Sequence, residues 1–271
     1  MPSDDFNLAM IYWFYKEPEV TKNHLQLIRK TNPSLKIYGV FGGEPDDAEK
    51  YESILGSMLD DFWVYPGTFG TDSYAKWIHG DLMLLDWYDK RGRQLPWDSV
   101  AVTQWDMLLF EDIKNVLPNI QKGQVFFSGY RDLDDAVENR WSWTKPESKH
   151  RQDFMNFKDF AAKQYGFEGQ LKCCLYIFEV LTRDFFDIYQ KVEDKKLGML
   201  EYKNPTLAYL AGLSVYQRDV GVYWKDTRQS TDTSPLNAMS IPVSTEYIKS
   251  ELKKPDGWRL FHPYQKKWEV Q

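Results

Sequence analysis

The sequence predicts an α/β fold: a mostly parallel sheet flanked by helices. Three observations predict it. The first hundred residues alternate short apolar runs with amphipathic stretches, the pattern of parallel strands joined by crossover helices. Several of the apolar runs are continuous, as in strands covered on both faces. The length of 271 residues, with 42% hydrophobic and 27% charged side chains, suits one large domain spanning 1–271.

The elements follow in order. "NLAMIYWFY" (7–15) has the length and continuity of a buried strand. "PEVTKNHLQLIRKTNP" (18–33) places Val20, His24, Leu25, Leu27 and Ile28 on an approximate helical face, and Pro33 ends it. "LKIYGVFGG" (35–43) is a second strand closing in paired glycines. Residues 47–59 read as a second helix and "DFWVYP" (61–66) as a third strand. Residues 71–92 open on Thr71 and Asp72, cap candidates, and carry Tyr74, Ile78, Leu82 and Leu85 at helical spacing. "DSVAVTQWD" (98–106) is the fourth strand. Beyond residue 113 the alternation loosens. Residues 123–129 and 171–180 read as strands and 182–192 as a helix. Residues 204–213 read as a short helix with Pro205 near its start. The polar stretch 131–170 reads as mostly irregular or helical.

Composition narrows the function classes. Eleven Trp, seventeen Tyr and sixteen Phe make 16% of the chain, an excess that suits stacking on sugar rings or nucleobases, or a well-packed core. A net charge of −6 without a dense Lys/Arg run argues against nucleic-acid binding. The two cysteines, Cys173 and Cys174, are adjacent and cannot form a disulfide framework, which suits a reducing, cytoplasmic setting. The start has no signal-peptide pattern, and "LAMIYWFY" is too short for a transmembrane segment. Nucleophile elbows, His-Glu-x-x-His and phosphate-loop motifs are all missing from the sequence.

In an open parallel sheet, ligands bind beyond the carboxyl ends of the strands. Those ends carry Phe14 or Tyr15, the pair Gly42 and Gly43, and Asp106 after Gln104 and Trp105. A carboxylate there either caps the next turn or holds a hard divalent cation against a diphosphate. "QWD" (104–106), falling just after this strand–helix alternation, resembles the short acidic motif of nucleotide-sugar-dependent glycosyltransferases of the GT-A fold. It departs from the usual Asp-x-Asp in having Gln104 first.

The resemblance implies a single GT-A domain, with a nucleotide-binding half over about 7–113 and an acceptor-binding half over about 114–271. It implies a nucleotide-sugar donor, a glycan or other hydroxyl acceptor, and Mn²⁺ or Mg²⁺ held by Asp106. His262 in "RLFHPYQKKW" is the second expected metal ligand, since imidazole beside carboxylate is a normal Mn²⁺ set. Lys76, Lys266 and Lys267 are donor-binding candidates, and the tail after His262 is expected to close over the diphosphate. Glu201, with Asp184 and Asp187 as weaker competitors, is the candidate catalytic base for the acceptor hydroxyl. Two other readings stay open: a lectin-like module, for which an all-β pattern is usual, and a sugar nucleotidyltransferase, for which a glycine-rich basic loop after strand one is usual.

Overall fold

The computed structural model describes residues 6–67, 73–226, 230–239 and 241–269. Eleven strands and ten α-helices are present among them. β1 (Leu8–Phe14), β2 (Ile37–Phe41), β3 (Asp61–Val64) and β4 (Ser99–Gln104) alternate with α1 (Pro18–Thr31), α2 (Ala48–Leu55), and the pair α3 (Ser73–His79) and α4 (Asp81–Lys90). The predicted start of the third helix, Thr71 and Asp72, lies outside the described residues. After β4 come β5 (Leu108–Leu109), α5 (Ile113–Val116), β6 (Gln124–Phe127), β7 (Arg131–Asp132), α6 (Asp135–Glu138) and α7 (Arg151–Tyr165). The chain finishes with β8 (Lys172–Cys173), β9 (Glu179–Thr182), α8 (Arg183–Gln190), α9 (Leu200–Leu210), β10 (Ser214–Val215), α10 (Thr245–Leu252) and β11 (Leu260–Phe261).

Seven strands form one sheet in the order β10-β6-β9-β4-β1-β2-β3. All neighbours are parallel except β9, which runs against both β4 and β6. This is the mostly parallel, helix-flanked sheet that the alternation predicted, and the second half of the chain completes it. β1 is buried along its whole length, with Met10, Tyr12 and Phe14 on one side and Ala9, Ile11 and Trp13 on the other. Two cores result, one per face of the sheet. α1 shows why a sequence of this kind becomes a helix. Pro18 fits its first turn, Glu19 faces the positive end of the dipole, and Arg29 and Lys30 face the negative end.

One boundary is corrected. The predicted helix 204–213 begins four residues earlier, and Pro205 lies inside α9. Proline removes the N–H that would bond the Glu201 carbonyl. Cys174 N–H donates to that carbonyl instead, at 2.9 Å, so the helix passes through the proline with the acceptor satisfied. Both cysteine thiols are buried, and burial pushes their ionisation well up. No helix among the described residues is long and apolar enough to cross a membrane.

Candidate active site

The strand order reverses direction between β1 and β4, the point where an open sheet leaves a crevice at its carboxyl edge. A cavity of about 920 Å³ lies there. Its floor comes from the ends of β1 (Trp13, Tyr15, Lys16) and β4 (Gln104, Asp106). Because β9 is antiparallel, its approach, Leu175–Ile177, reaches the same edge and lines the cavity too.

Asp106 and His262, 156 positions apart, are brought together by a two-stranded pairing. β5 follows Asp106 directly, β11 precedes His262 directly, and the two strands pair antiparallel with Leu108 opposite Phe261. Tyr264 N–H extends the match by donating to the Asp106 carbonyl at 2.7 Å. His262 Nε2 then stands 3.3 Å from Asp106 Oδ1, with both residues buried.

The other ring nitrogen fixes the tautomer. His262 Nδ1 is 2.9 Å from the Asn237 carbonyl, which can only accept, so Nδ1 carries the proton. In a neutral ring Nε2 therefore turns a lone pair toward a carboxylate oxygen that no aligned donor satisfies. A second ring proton or a cation between them would resolve the clash. Two adjacent ligands of an octahedral Mg²⁺-sized ion stand about 3 Å apart. An Nδ1–H fixed by a carbonyl is also the usual support of a metal-binding histidine. The pair fits Mn²⁺ or Mg²⁺ on these grounds. Among the described residues no third His, Cys, Asp or Glu joins them. Burial pushes the Asp106 carboxyl up, but the neighbouring His262 ring, the residue's own backbone N–H and Gln265 together hold it below the usual range.

Glu201 lines the same cavity from the first turn of α9. Its Oε1 accepts Tyr176 N–H at 2.9 Å, and burial raises its carboxyl from 4.5 to about 8. The Tyr176 carbonyl accepts Gln104 Nε2 at 2.9 Å. This gives a physical reason for Gln104 where the resembled motif has an acid. A carboxylate at 104 would face a carbonyl oxygen with nothing to donate.

Lys76, 2% exposed, places its Nζ 4.8 Å from the Tyr15 ring, and Lys16 stands 4.9 Å from the Trp105 ring. Tyr15, Lys76, Gln104, Asp106, Glu201 and His262 thus share one cavity. Phe14, Gly42, Gly43, Trp105, Lys266 and Lys267 do not line it. Phe14 points to the opposite face of β1 and packs on Phe41, Tyr51 and Phe62. Gly42 and Gly43 follow β2, one strand away from the crevice, and leave room for Met83 and the Phe41 ring. Trp105 is buried beneath the floor, its carbonyl 2.9 Å from His24 Nδ1. Lys267 pairs with Glu19 at 3.2 Å, and the Lys266 carbonyl is 3.0 Å from His24 Nε2. Asp184 and Asp187 sit on α8, and Asp187 pairs with Arg93 at 2.8 Å.

No family model matches the chain, and no curated protein matches it. Among solved structures it is similar to apo mouse xyloside xylosyltransferase 1, at 12% identity and a TM-score of 0.41, over 83% of this chain and 91% of that one. It is similar to the apo bifunctional glycosyltransferase WbbM at 10% identity and a TM-score of 0.48, over 98% of this chain and 47% of that one. The inositol-1-phosphate CTP transferase of T. maritima is similar at 8% identity and a TM-score of 0.45, over 79% and 85%.

Sequence reasoning missed one whole wall. Most of the segment from Ala136 to His150, through α6 and the loop after it, lines the cavity, although it read only as a polar stretch, mostly irregular or helical. The available signal was "RWSWTKPESKH", Trp interleaved with basic residues inside a polar stretch.

Proposed function

We propose that the chain is a glycosyltransferase that moves a sugar from a nucleotide-sugar donor to a hydroxyl acceptor with divalent-metal assistance. The observation that carries this is the buried Asp106–His262 pair, whose facing acceptor atoms suit a hard cation, in the cavity that also holds Glu201. Asp106 and His262 would hold Mn²⁺ or Mg²⁺, which supplies charge neutralisation for a departing diphosphate. Lys16 and Lys76, both within 5.5 Å of the Tyr15 ring and lining the cavity, offer further positive charge to phosphate oxygens. Glu201 takes the proton from the acceptor hydroxyl as that oxygen becomes the nucleophile; a carboxylate raised to about 8 is a stronger base than an ordinary one.

A sugar nucleotidyltransferase is the second reading, favoured by the two lysines beside the acidic pair. Against it, the β1–α1 connection, Tyr15 to Glu17, contains no glycine. The test is a panel of nucleotide sugars, and of nucleoside triphosphates with sugar phosphates, each with and without Mn²⁺. A Mn²⁺-dependent thermal shift and slow donor hydrolysis with one nucleotide sugar is the expected result. Turnover confined to triphosphates with release of pyrophosphate would select the second reading.

A further inference from the structure

Lysine and arginine side chains outnumber acidic ones in the cavity lining. The chain carries −6 overall, yet every acid lining the cavity is already occupied. Glu147 pairs with Lys145 at 3.0 Å, Asp226 with Arg131 at 2.8 Å, and Asp106 faces His262. Glu201 is engaged by Tyr176 N–H and keeps its proton up to about 8. Lys16 and Lys76 stand against the Tyr15 ring, near Asp106 at the strand ends. Arg140, Lys149 and Lys225 remain. All three are exposed, line the cavity, and have no acidic side chain at ion-pair distance among the described residues.

These cations stand among flat rings. Trp141 meets Trp224 at 5.7 Å, and Trp143 meets Tyr74 at 5.9 Å, where Lys149 Nζ sits 4.4 Å over the tyrosine ring. Trp141 and Trp143 are only partly buried, so each keeps some apolar face open to the cavity they line. Flat apolar faces match the C–H faces of sugar rings, and interleaved cations match acidic groups on those rings. A neutral glycan would leave the cations unused.

We infer that this wall binds an acidic glycan, a chain of sugars bearing carboxylates, as the acceptor. Its role as acceptor rests on the transferase reading above; its binding does not. Titrating the full chain with an oligogalacturonate and with a neutral cello-oligosaccharide of equal length, followed by tryptophan fluorescence, tests it. The acidic oligosaccharide is expected to bind roughly tenfold tighter at low salt, with the gap closing as ionic strength rises. Arg140→Ser combined with Lys149→Ser should weaken oligogalacturonate roughly three- to tenfold, the scale of two exposed ion pairs, and leave the neutral ligand unchanged.

Equal affinity for the two oligosaccharides, or wild-type affinity of the double variant for oligogalacturonate, overturns the inference. So does binding to phosphatidylglycerol vesicles without binding to oligogalacturonate. A thermal shift with nucleoside diphosphate and Mn²⁺ is read in parallel. Its absence while oligogalacturonate still binds removes the transferase reading and leaves the acidic-glycan wall standing.

Discussion

At the residue scale, the proposed chemistry rests on Asp106, His262 and Glu201, and Asp106 and Glu201 each have a separable test. Asp106→Ala removes one of two facing acceptors near the edge of the core. The expected outcome is a folded protein whose nucleotide-induced thermal shift no longer depends on Mn²⁺; an unchanged shift would remove Asp106 from the site. Glu201→Gln keeps the shape but cannot accept a proton, so turnover should fall on the order of a hundredfold with donor affinity intact. Wild-type turnover should climb with pH through about 8, because Glu201 is ionised only above that value. The stability consequence has the opposite sign. A carboxyl raised from 4.5 to about 8 stays protonated in the folded state while the unfolded chain ionises, so stability falls as pH rises across that window. Denaturant titrations at stepped pH should show a shallower decline in Glu201→Gln. The neighbouring Glu179, pushed up by burial and then by Glu201, leaves part of the slope in place.

At the element scale, the site depends on pairings that sequence periodicity cannot signal. β5 and β11 are two residues each, too short to show a period, yet their register sets the Asp106–His262 approach. The position of Asp106 at the cavity was readable because it closely follows a six-residue strand of clear character, whereas its meeting with His262 was legible only through the resemblance. Phe14 misled for a related reason: a fully buried strand reads the same on both faces, so nothing indicated which aromatic turns toward the crevice. Phe261 is fully buried in the small cluster around Leu108 and Ile248. Phe261→Ala should cost about 3–5 kcal/mol in denaturant unfolding. It should also weaken Mn²⁺-dependent nucleotide binding although Phe261 lines no part of the cavity. Lost stability with Mn²⁺-dependent binding intact would show that the pairing does not set the pair's geometry. Pro205 misled differently. It marked a helix start by sequence rule, but Cys174 takes the carbonyl that the proline frees, so the helix runs through it.

At the scale of the whole molecule, the sheet was legible because its parallel half is built from local strand–helix units of readable length. The wall from residue 136 to 150 was not, because its backbone hydrogen bonds are local turns and its position is set by contacts with Tyr74, Tyr202 and Trp224, distant in sequence, including a hydrogen bond between the Tyr74 hydroxyl and His150 Nε2. The C-terminal tail closes the other side. Asn23 on α1 binds Trp268 twice, Oδ1 accepting its N–H at 2.6 Å and Nδ2 donating to its carbonyl at 3.2 Å. His24, one residue on, lies between the Trp105 and Lys266 carbonyls, joining the floor beneath Asp106 to the tail beyond His262. The tail expected to close over a diphosphate is therefore fastened to α1 by contacts that involve no ligand. Asn23→Ala removes both bonds to Trp268 at a partly exposed position, which should cost about 1–2 kcal/mol. Limited proteolysis should then cleave near the tail faster in the variant, with or without nucleotide and Mn²⁺. Because His262 belongs to the same C-terminal run, Mn²⁺-dependent nucleotide binding should weaken in the same variant. Cleavage of the variant at the wild-type rate would mean that Asn23 is not what holds the tail. Wild-type cleavage that slows sharply with nucleotide and Mn²⁺ would mean that the ligand, and not α1, sets the tail's order.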